Sequence, residues 1–490
     1  MRIRLFILIF LLVFLASTSV VDAQTVNGSG WSEPVNLSNT AASSAVPTIT
    51  SDQFGLVHVF WSEALGGRPH PFGIAPQSGN AIMYRCLKDG VWSDPVDLFY
   101  AGKNGSDDLP TALVDKNGML QLVWLEGGHL RYSSAPAWDA TRVTSWAAPS
   151  ALSTEYVNRV QLVDLGDKLM AIYNPNDGEK AGVYSMVIDQ GLFHAQVPVW
   201  EDKTGLAAQD ISAAVDGTGR VHVVWSVYEP PDPFVIEILY SNSSDGGVTW
   251  SPPMVVARET STEDSLAMAY PWVAVRGQQE IHIQWAQGRL TYRWHQYSTD
   301  GGQTWNPAYQ IWPDLVSQTS SDAVSVDSDN NLYWIDVLRY PNGAYLMRWV
   351  DGKWQRPELF YLNQIDWKDP IGDRINVHRI RSTISLGNEL HIVFVDESRA
   401  EIWYMHKTLQ SSRFPPAAIP DQTPTPDLMV APPTLEVMPV VTPTQTISGL
   451  QDQTRSGESP SNRFTLILAL ANIPVILLVS IFIVKRSLPK

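Results

Sequence analysis

The chain has 490 residues and carries 34 Lys+Arg against 50 Asp+Glu, a formal net charge of −16. That acidity disfavours nucleic acid and anionic membrane surfaces as partners. The single cysteine, Cys86, excludes an internal disulfide, so 19 Trp, 17 Tyr and 14 Phe must supply the core that holds the fold.

In chain order, Arg2 and Arg4 precede an almost wholly apolar run from Leu5 to Leu15, which closes on Val21-Asp22-Ala23. A basic start, an apolar centre and a small final residue predict a secretory signal peptide over 1–23. Next, Trp31-Ser32-Glu33-Pro34-Val35-Asn36-Leu37 stands alone, yet it matches Trp92-Ser93-Asp94-Pro95-Val96-Asp97-Leu98 closely. From there one phrase recurs seven times, a turn residue followed six positions later by the middle of a strand: Asp52 and His58, Asp115 and Gln121, Asp164 and Met170, Asp216 and His222, Arg276 and His282, Asp327 and Tyr333, Ser385 and His391. Three residues into the turns stand Gly55, Gly118, Asp167, Gly219, Gln279, Asn330 and Asn388, and all but Gln279 tolerate positive φ. Three residues past the strand centres stand Trp61, Trp124, Tyr173, Trp225, Trp285, Asp336 and Phe394.

A strand-built period of about 50–60 residues predicts radial repetition, hence an all-β, seven-bladed β-propeller over 24–410. The third and sixth units match least well, which leaves six or eight blades open. The last unit lacks an outer strand of its own, so residues 31–37 are expected to supply it and close the ring. His58, His222, His282 and His391 occupy one repeated position in separate blades, a pattern that points to packing and hydrogen bonding rather than to one metal site. No dinucleotide, phosphate-loop or zinc-cluster signature is present, so no cofactor is implied.

Prolines and threonines dominate from 411, and 411–463 reads as a disordered stalk. Phe464 to Val484 then runs without a charge into Lys485 and Arg486. That length and flank predict a single transmembrane helix over 464–484, a cytoplasmic tail over 485–490, and an extracellular propeller on the plasma membrane.

In such a ring the hairpins between first and second strands lie on one face, and the inner strands open on the other. Around that opening the inner strands begin near Arg159, Asp210, Tyr270, Trp272, Asp322, Arg379 and Arg381, and second strands end near Glu63, Glu126, Arg339, Asp396 and Glu397. Acids, arginines and aromatic rings in one bowl suit a sugar, because rings stack on its face while charged groups bind hydroxyls or an acidic substituent. The expected partner is an extracellular glycan or glycoprotein.

Two hairpins share a stricter pattern: Ser243-Ser244-Asp245-Gly246-Gly247-Val248-Thr249-Trp250 and Ser298-Thr299-Asp300-Gly301-Gly302-Gln303-Thr304-Trp305. Ser243, Asp245, Gly247 and Trp250, with Ser298, Asp300, Gly302 and Trp305, resemble the Asp box, or bacterial neuraminidase repeat, of the sialidase-like β-propeller superfamily. The resemblance covers about 31–409 and implies structural hairpins on the face opposite the ligand site. The superfamily's sialidases also carry a Phe/Tyr-Arg-Ile-Pro string. This chain has none, so no catalytic residue is carried over. Three readings stay open: a glycan-binding module, an exo-sialidase-like glycoside hydrolase, and a protein-interaction scaffold.

Overall fold

A computed structural model describes residues 26–420 except 27, 41, 66–78, 103–108, 176–180, 233, 260–268, 289–290, 341, 363–374, 376 and 397–398. The signal peptide, most of the stalk, the 464–484 helix, the tail, Glu397 and much of the long loops fall outside the described residues. Among the described residues no helix is long and apolar enough to cross a membrane.

The described strands form seven antiparallel sheets, each built around three consecutive strands with a short outer strand or strand pair at its edge. Their inner strands are Ser44–Ser51, Thr111–Val114, Val157–Asp164, Ala207–Val215, Trp272–Arg276, Val316–Val326 and Val377–Ser385. Each packs beside the next, and the seventh packs against the first, so the architecture is a closed seven-bladed β-propeller. Each second strand lies between two neighbouring sheets and is buried on both faces. Val57–Glu63 and Leu169–Pro175 therefore read as continuous buried runs, not as alternations.

The ring closes as the sequence predicts. Val35 pairs with Tyr404 and Asn36 with Trp403, and Trp31 bridges to Lys407. Ser32 N–H donates to the His406 carbonyl at 2.9 Å and Leu37 N–H to that of Ile402 at 2.7 Å. Trp31 also stacks on Phe360 of blade six with ring centroids 4.2 Å apart. Past the last strand the chain crosses the hairpin face: Phe414 N–H donates to the Leu386 carbonyl and Ala417 N–H to that of Gln53.

The repeated phrase has a local cause. In blade one, one Asp52 oxygen accepts from the N–H groups of Phe54 and Leu56, at 2.9 and 2.8 Å, and so closes the turn. Its other oxygen meets His58 Nε2 at 3.2 Å, and His58 Nδ1 meets the Tyr84 hydroxyl at 2.7 Å on the third strand. Blade four repeats this with Asp216, His222 and Tyr240 at the same distances, 3.2 and 2.7 Å. Blade two substitutes Gln121 between Asp115 and Tyr132, and blade seven runs Ser385, His391, Tyr404. In blade five His282 joins Glu280 to His295, which reaches Tyr309. Each of the four strand histidines is thus satisfied within its own blade. The positive-φ turn residue falls where expected at Gly55, Gly118, Gly219 and Asn330. In blades three, five and seven it falls earlier, at Gly166, Gly277 and Gly387, because glycine there takes the left-handed position at lower steric cost.

Aromatic rings lock blade to blade. Trp305 meets Tyr240 of the preceding blade edge-on at 5.0 Å, Trp92 meets Tyr404 at 4.9 Å, and Trp250 Nε1 donates to Ser185 at 3.2 Å. The hairpin tryptophans thus plug the seam with the neighbouring blade. Replacing Trp31 with alanine should cost about 3–5 kcal/mol, the usual loss for a buried indole, because it empties the closing seam. Denaturant midpoints at matched slopes will measure it.

Burial pushes His391 down to about 3, with help from His406, and also lowers His222, His282 and His295. The unfolded chain takes these four protons from about 6.5 downward while the folded chain refuses them, so these groups withdraw stability as pH falls below that value, whereas His58, which burial lowers but Asp52 and Cys86 raise to about 9, acts in the opposite sense. Chemical denaturation from pH 8 to 5 should show this decline. His391→Gln, which copies blade two, should remove part of it and change little at pH 8.

Candidate functional site

At the end of the ring opposite the hairpins, the inner strands are not regular. Register breaks fall at Ala45/Thr48, Val157/Arg159, Gln209/Ser212, Ser317/Asp322 and His378/Arg381. At this level Val46, Leu109, Asp210, Tyr270 and Arg379 take left-handed φ of 45°, 31°, 50°, 40° and 51°. A β-bulge re-aims the side chains beside it, and a left-handed non-glycine residue costs on the order of 1–3 kcal/mol. Five of them at one level, one of them the β-branched Val46, mark a place where the fold tolerates strain to direct side chains inward.

They direct them at an axial cavity of about 300 Å³ to which all seven inner strands contribute. Arg159, Asp210, Tyr270, Trp272, Asp322, Arg379 and Arg381 line it together. The other described sequence candidates do not. Glu63 is buried one layer out, where Ser44 Oγ and Trp61 Nε1 donate to it at 3.2 and 3.1 Å. Glu126 pairs with Arg131, Asp396 is buried with Arg399 at 3.1 Å, and Arg339 is exposed on its strand. Second-strand side chains face the layers between blades, so ending near the opening does not bring them to the axis.

The cavity is cationic in an otherwise acidic chain: three arginines against Asp210 and Asp322. Arg159 and Arg381 each spend one donor on the preceding carbonyl, at 3.0 Å to Asn158 and 2.8 Å to Ile380, and neither forms an ion pair with a described carboxylate. Burial pulls Arg381 down to about 10, with Arg379 and Arg159 adding to the effect and Asp322 opposing it. The Arg381 guanidinium lies over the Trp272 ring at 5.6 Å. Burial raises Asp210 against the pull of Arg159 and of a 3.2 Å bond from Ser226. Among the described residues no group of three or more His, Cys, Asp and Glu could hold a metal ion.

Behind the wall sits a pair that the sequence reading did not assemble. Arg293, from the third strand of blade five, is buried between Asp322 and Asp336 of blade six. The available signal was Asp336 itself, an acid where the other six blades place a buried ring.

The two patterned hairpins lie on the far face and are closed from within. Asp245 accepts from Thr249 N–H at 3.0 Å and from its hydroxyl at 2.5 Å, with Ser243 Oγ at 2.8 Å. Asp300 repeats this with Thr304 and Ser298. These bonds, Thr249 and Thr304 first, hold both carboxyls at about 2. Gly247 and Gly302 combine left-handed φ, strained for any other residue, with close approach to Met170 and Tyr240 of the preceding blades. Asp245 and Asp300 are therefore turn residues, far from the cavity.

The fold and the ring of inward-aimed bulges define a seven-bladed β-propeller with an axial pocket. No protein-family model and no curated protein matches the chain. Among solved structures it is similar to a protein of unknown function from Dyadobacter fermentans, at 14% identity over 78% of this chain and 100% of that one, with a TM-score of 0.48. It is also similar to the polysaccharide lyase Uly1, at 9% identity over 78% and 100% of the chains and a TM-score of 0.48. The intramolecular trans-sialidase from Ruminococcus gnavus follows at 12% identity, 76% and 96% coverage and a TM-score of 0.42. At such identities these likenesses concern the fold alone.

The strain at the cavity is open to test. In Val46→Gly, relief of roughly 1–2 kcal/mol of left-handed penalty should match or exceed the ~0.5–1 kcal/mol that glycine adds in backbone entropy. Thermal unfolding should show Val46→Gly as stable as the parent or slightly more so, whereas Val59→Gly in the adjacent buried strand should be strongly destabilised.

Proposed function

We propose that the axial cavity is the ligand site of an exported, membrane-tethered propeller and that its ligand is an acidic glycan. The observation that carries this reading is the convergence of Arg159, Arg379 and Arg381 with Trp272 and Tyr270 on one cavity, with strained backbone at Tyr270 and Arg379. Guanidinium groups hold a carboxylate through paired, charge-assisted hydrogen bonds. An aromatic face takes the apolar side of a sugar ring, and a cavity of this size suits one or two residues at a chain end. A scaffold for a protein partner would instead call for a flat apolar face.

The export and anchoring half of the reading rests on residues 1–23 and 464–484. The last described residues cross the hairpin face. Membrane fractionation and surface protease accessibility test this half separately.

Hydrolysis is the second reading, favoured by one observation: Tyr270 and the half-buried Asp210, with its raised pKa, share the cavity with the arginines. Fluorogenic sialoside turnover that disappears in Tyr270→Phe would establish it; binding without turnover leaves recognition alone.

On a glycan array the protein should retain sialylated or uronic-acid-bearing glycans over neutral ones. Arg381→Ala and Arg159→Ala should each lower that affinity roughly 10- to 100-fold, the range for losing a charged hydrogen bond. Equal retention of neutral and acidic glycans would sink the proposal.

A further inference from the structure

One group on the cavity wall is not explained by anion holding alone. Asp322 and Asp336 stand directly opposite each other on the first two strands of blade six, and both are buried, at 1% and 0% exposure. Arg293 Nε and Nη2 donate to Asp336 at 3.2 Å each, and Ser317 Oγ donates to it at 2.6 Å. Asp322 receives much less. One of its oxygens lies 3.3 Å from Arg293 Nη1, with Trp272 beside it, yet neither oxygen accepts a hydrogen bond of good geometry. It nonetheless lines the cavity.

The charges facing this pair can be counted. Arg293 comes from blade five, and Arg381, at the cavity wall, comes from blade seven and acts on Asp322 alone. Within ion-pair distance two carboxylates therefore share one guanidinium. A second buried negative charge without its own partner is costly, and neighbouring buried carboxylates avoid it by keeping a proton between them. Burial raises both groups against the pull of Arg293, and the Asp322 charge raises Asp336 further, to about 6.

We propose that Asp322 is a ligand-contacting residue of the cavity and that the Asp322–Asp336 pair takes up one proton when an anionic ligand enters. With the proton in place, Asp322 presents an O–H donor in place of a repelling charge, which leaves Asp210 as the one described carboxyl of the cavity facing the arginines. The proton comes from solvent and no covalent bond changes. Binding and protonation then strengthen each other, as linkage requires. The proposal rests on the acidic-ligand reading, and its test separates the two.

The first arm needs no ligand. Carbon-13 NMR of the full chain labelled at aspartate should show a carboxyl titrating near pH 6 that vanishes in Asp336→Asn and in Asp322→Asn. Finding every aspartate ionised down to the ordinary acid range overturns the proposal whatever the ligand. The second arm is calorimetry with N-acetylneuraminic acid and glucuronic acid, each in two buffers of different protonation enthalpy. Uptake approaching one proton is expected, with affinity falling up to about tenfold per pH unit above the titration of the pair, and with that dependence lost in Asp322→Asn. Binding without proton uptake overturns the inference and leaves the acidic-ligand reading intact. If neither acid binds, that reading fails, and the titration alone decides the pair.

Discussion

Closure of the ring by Val35–Asn36 on the edge of blade seven is the constraint from which the rest follows. An open array of the same sheets would leave two strand edges unpaired and would have no axis. Once the first described strand is hydrogen-bonded to the last, the number of blades is fixed, and so is the distance of each inner strand from the centre. The central cavity is a consequence of that circumference. Trp31 on Phe360 and the chain crossing from Leu386 to Gln53 reinforce the same seam from two directions.

In blades one, two, four and seven a turn acceptor, a strand-centre side chain and a third-strand hydroxyl form a short buried relay, while blade five passes through His295, blade six joins Asp327 to Tyr333, and blade three places the apolar Met170 at the centre. Its chemistry varies while its geometry holds: histidine, glutamine or tyrosine occupies the middle place, and aspartate or serine most often the first. Buried polar groups are tolerated because every one in the relay has partners. This explains how an acidic, disulfide-free chain can carry four deeply placed histidines without any of them being a site. It also gives departures from the pattern their meaning. Where six blades bury an aromatic ring, blade six buries Asp336, and the compensating Arg293 arrives from the blade next door.

The two ends of the ring divide the labour. Hairpin tips are held by short side-chain caps and sealed by tryptophans, which suits them to rigidity. At the other end regular pairing breaks down in bulges, and charged and aromatic side chains are turned toward the axis. Strain placed against a rigid frame is a common way of preparing a site before its ligand arrives. An acidic-glycan reading fits this division, since a cationic concavity of a negatively charged molecule coincides with five left-handed non-glycine residues.

Much of this was legible in order along the chain. The spacing of Asp52 and His58, repeated seven times, reports a blade because in five of the seven copies turn and strand centre are tied by a local hydrogen bond. The orphan segment at Trp31 could be matched to its missing edge because outer strands resemble one another. Even the seven inner-strand candidates were readable, since strand order alone says which ends meet at the axis. Glu63, Glu126, Arg339 and Asp396 could not be sorted the same way, because a side chain's direction depends on register and layer, and neither is written locally. The bulges at Val46, Asp210 and Arg379, the sharing of Arg293 by two acids, and the exchange of tryptophans between blades arise only when separate blades are pressed together. They involve residues distant in sequence, and only tertiary packing could decide them.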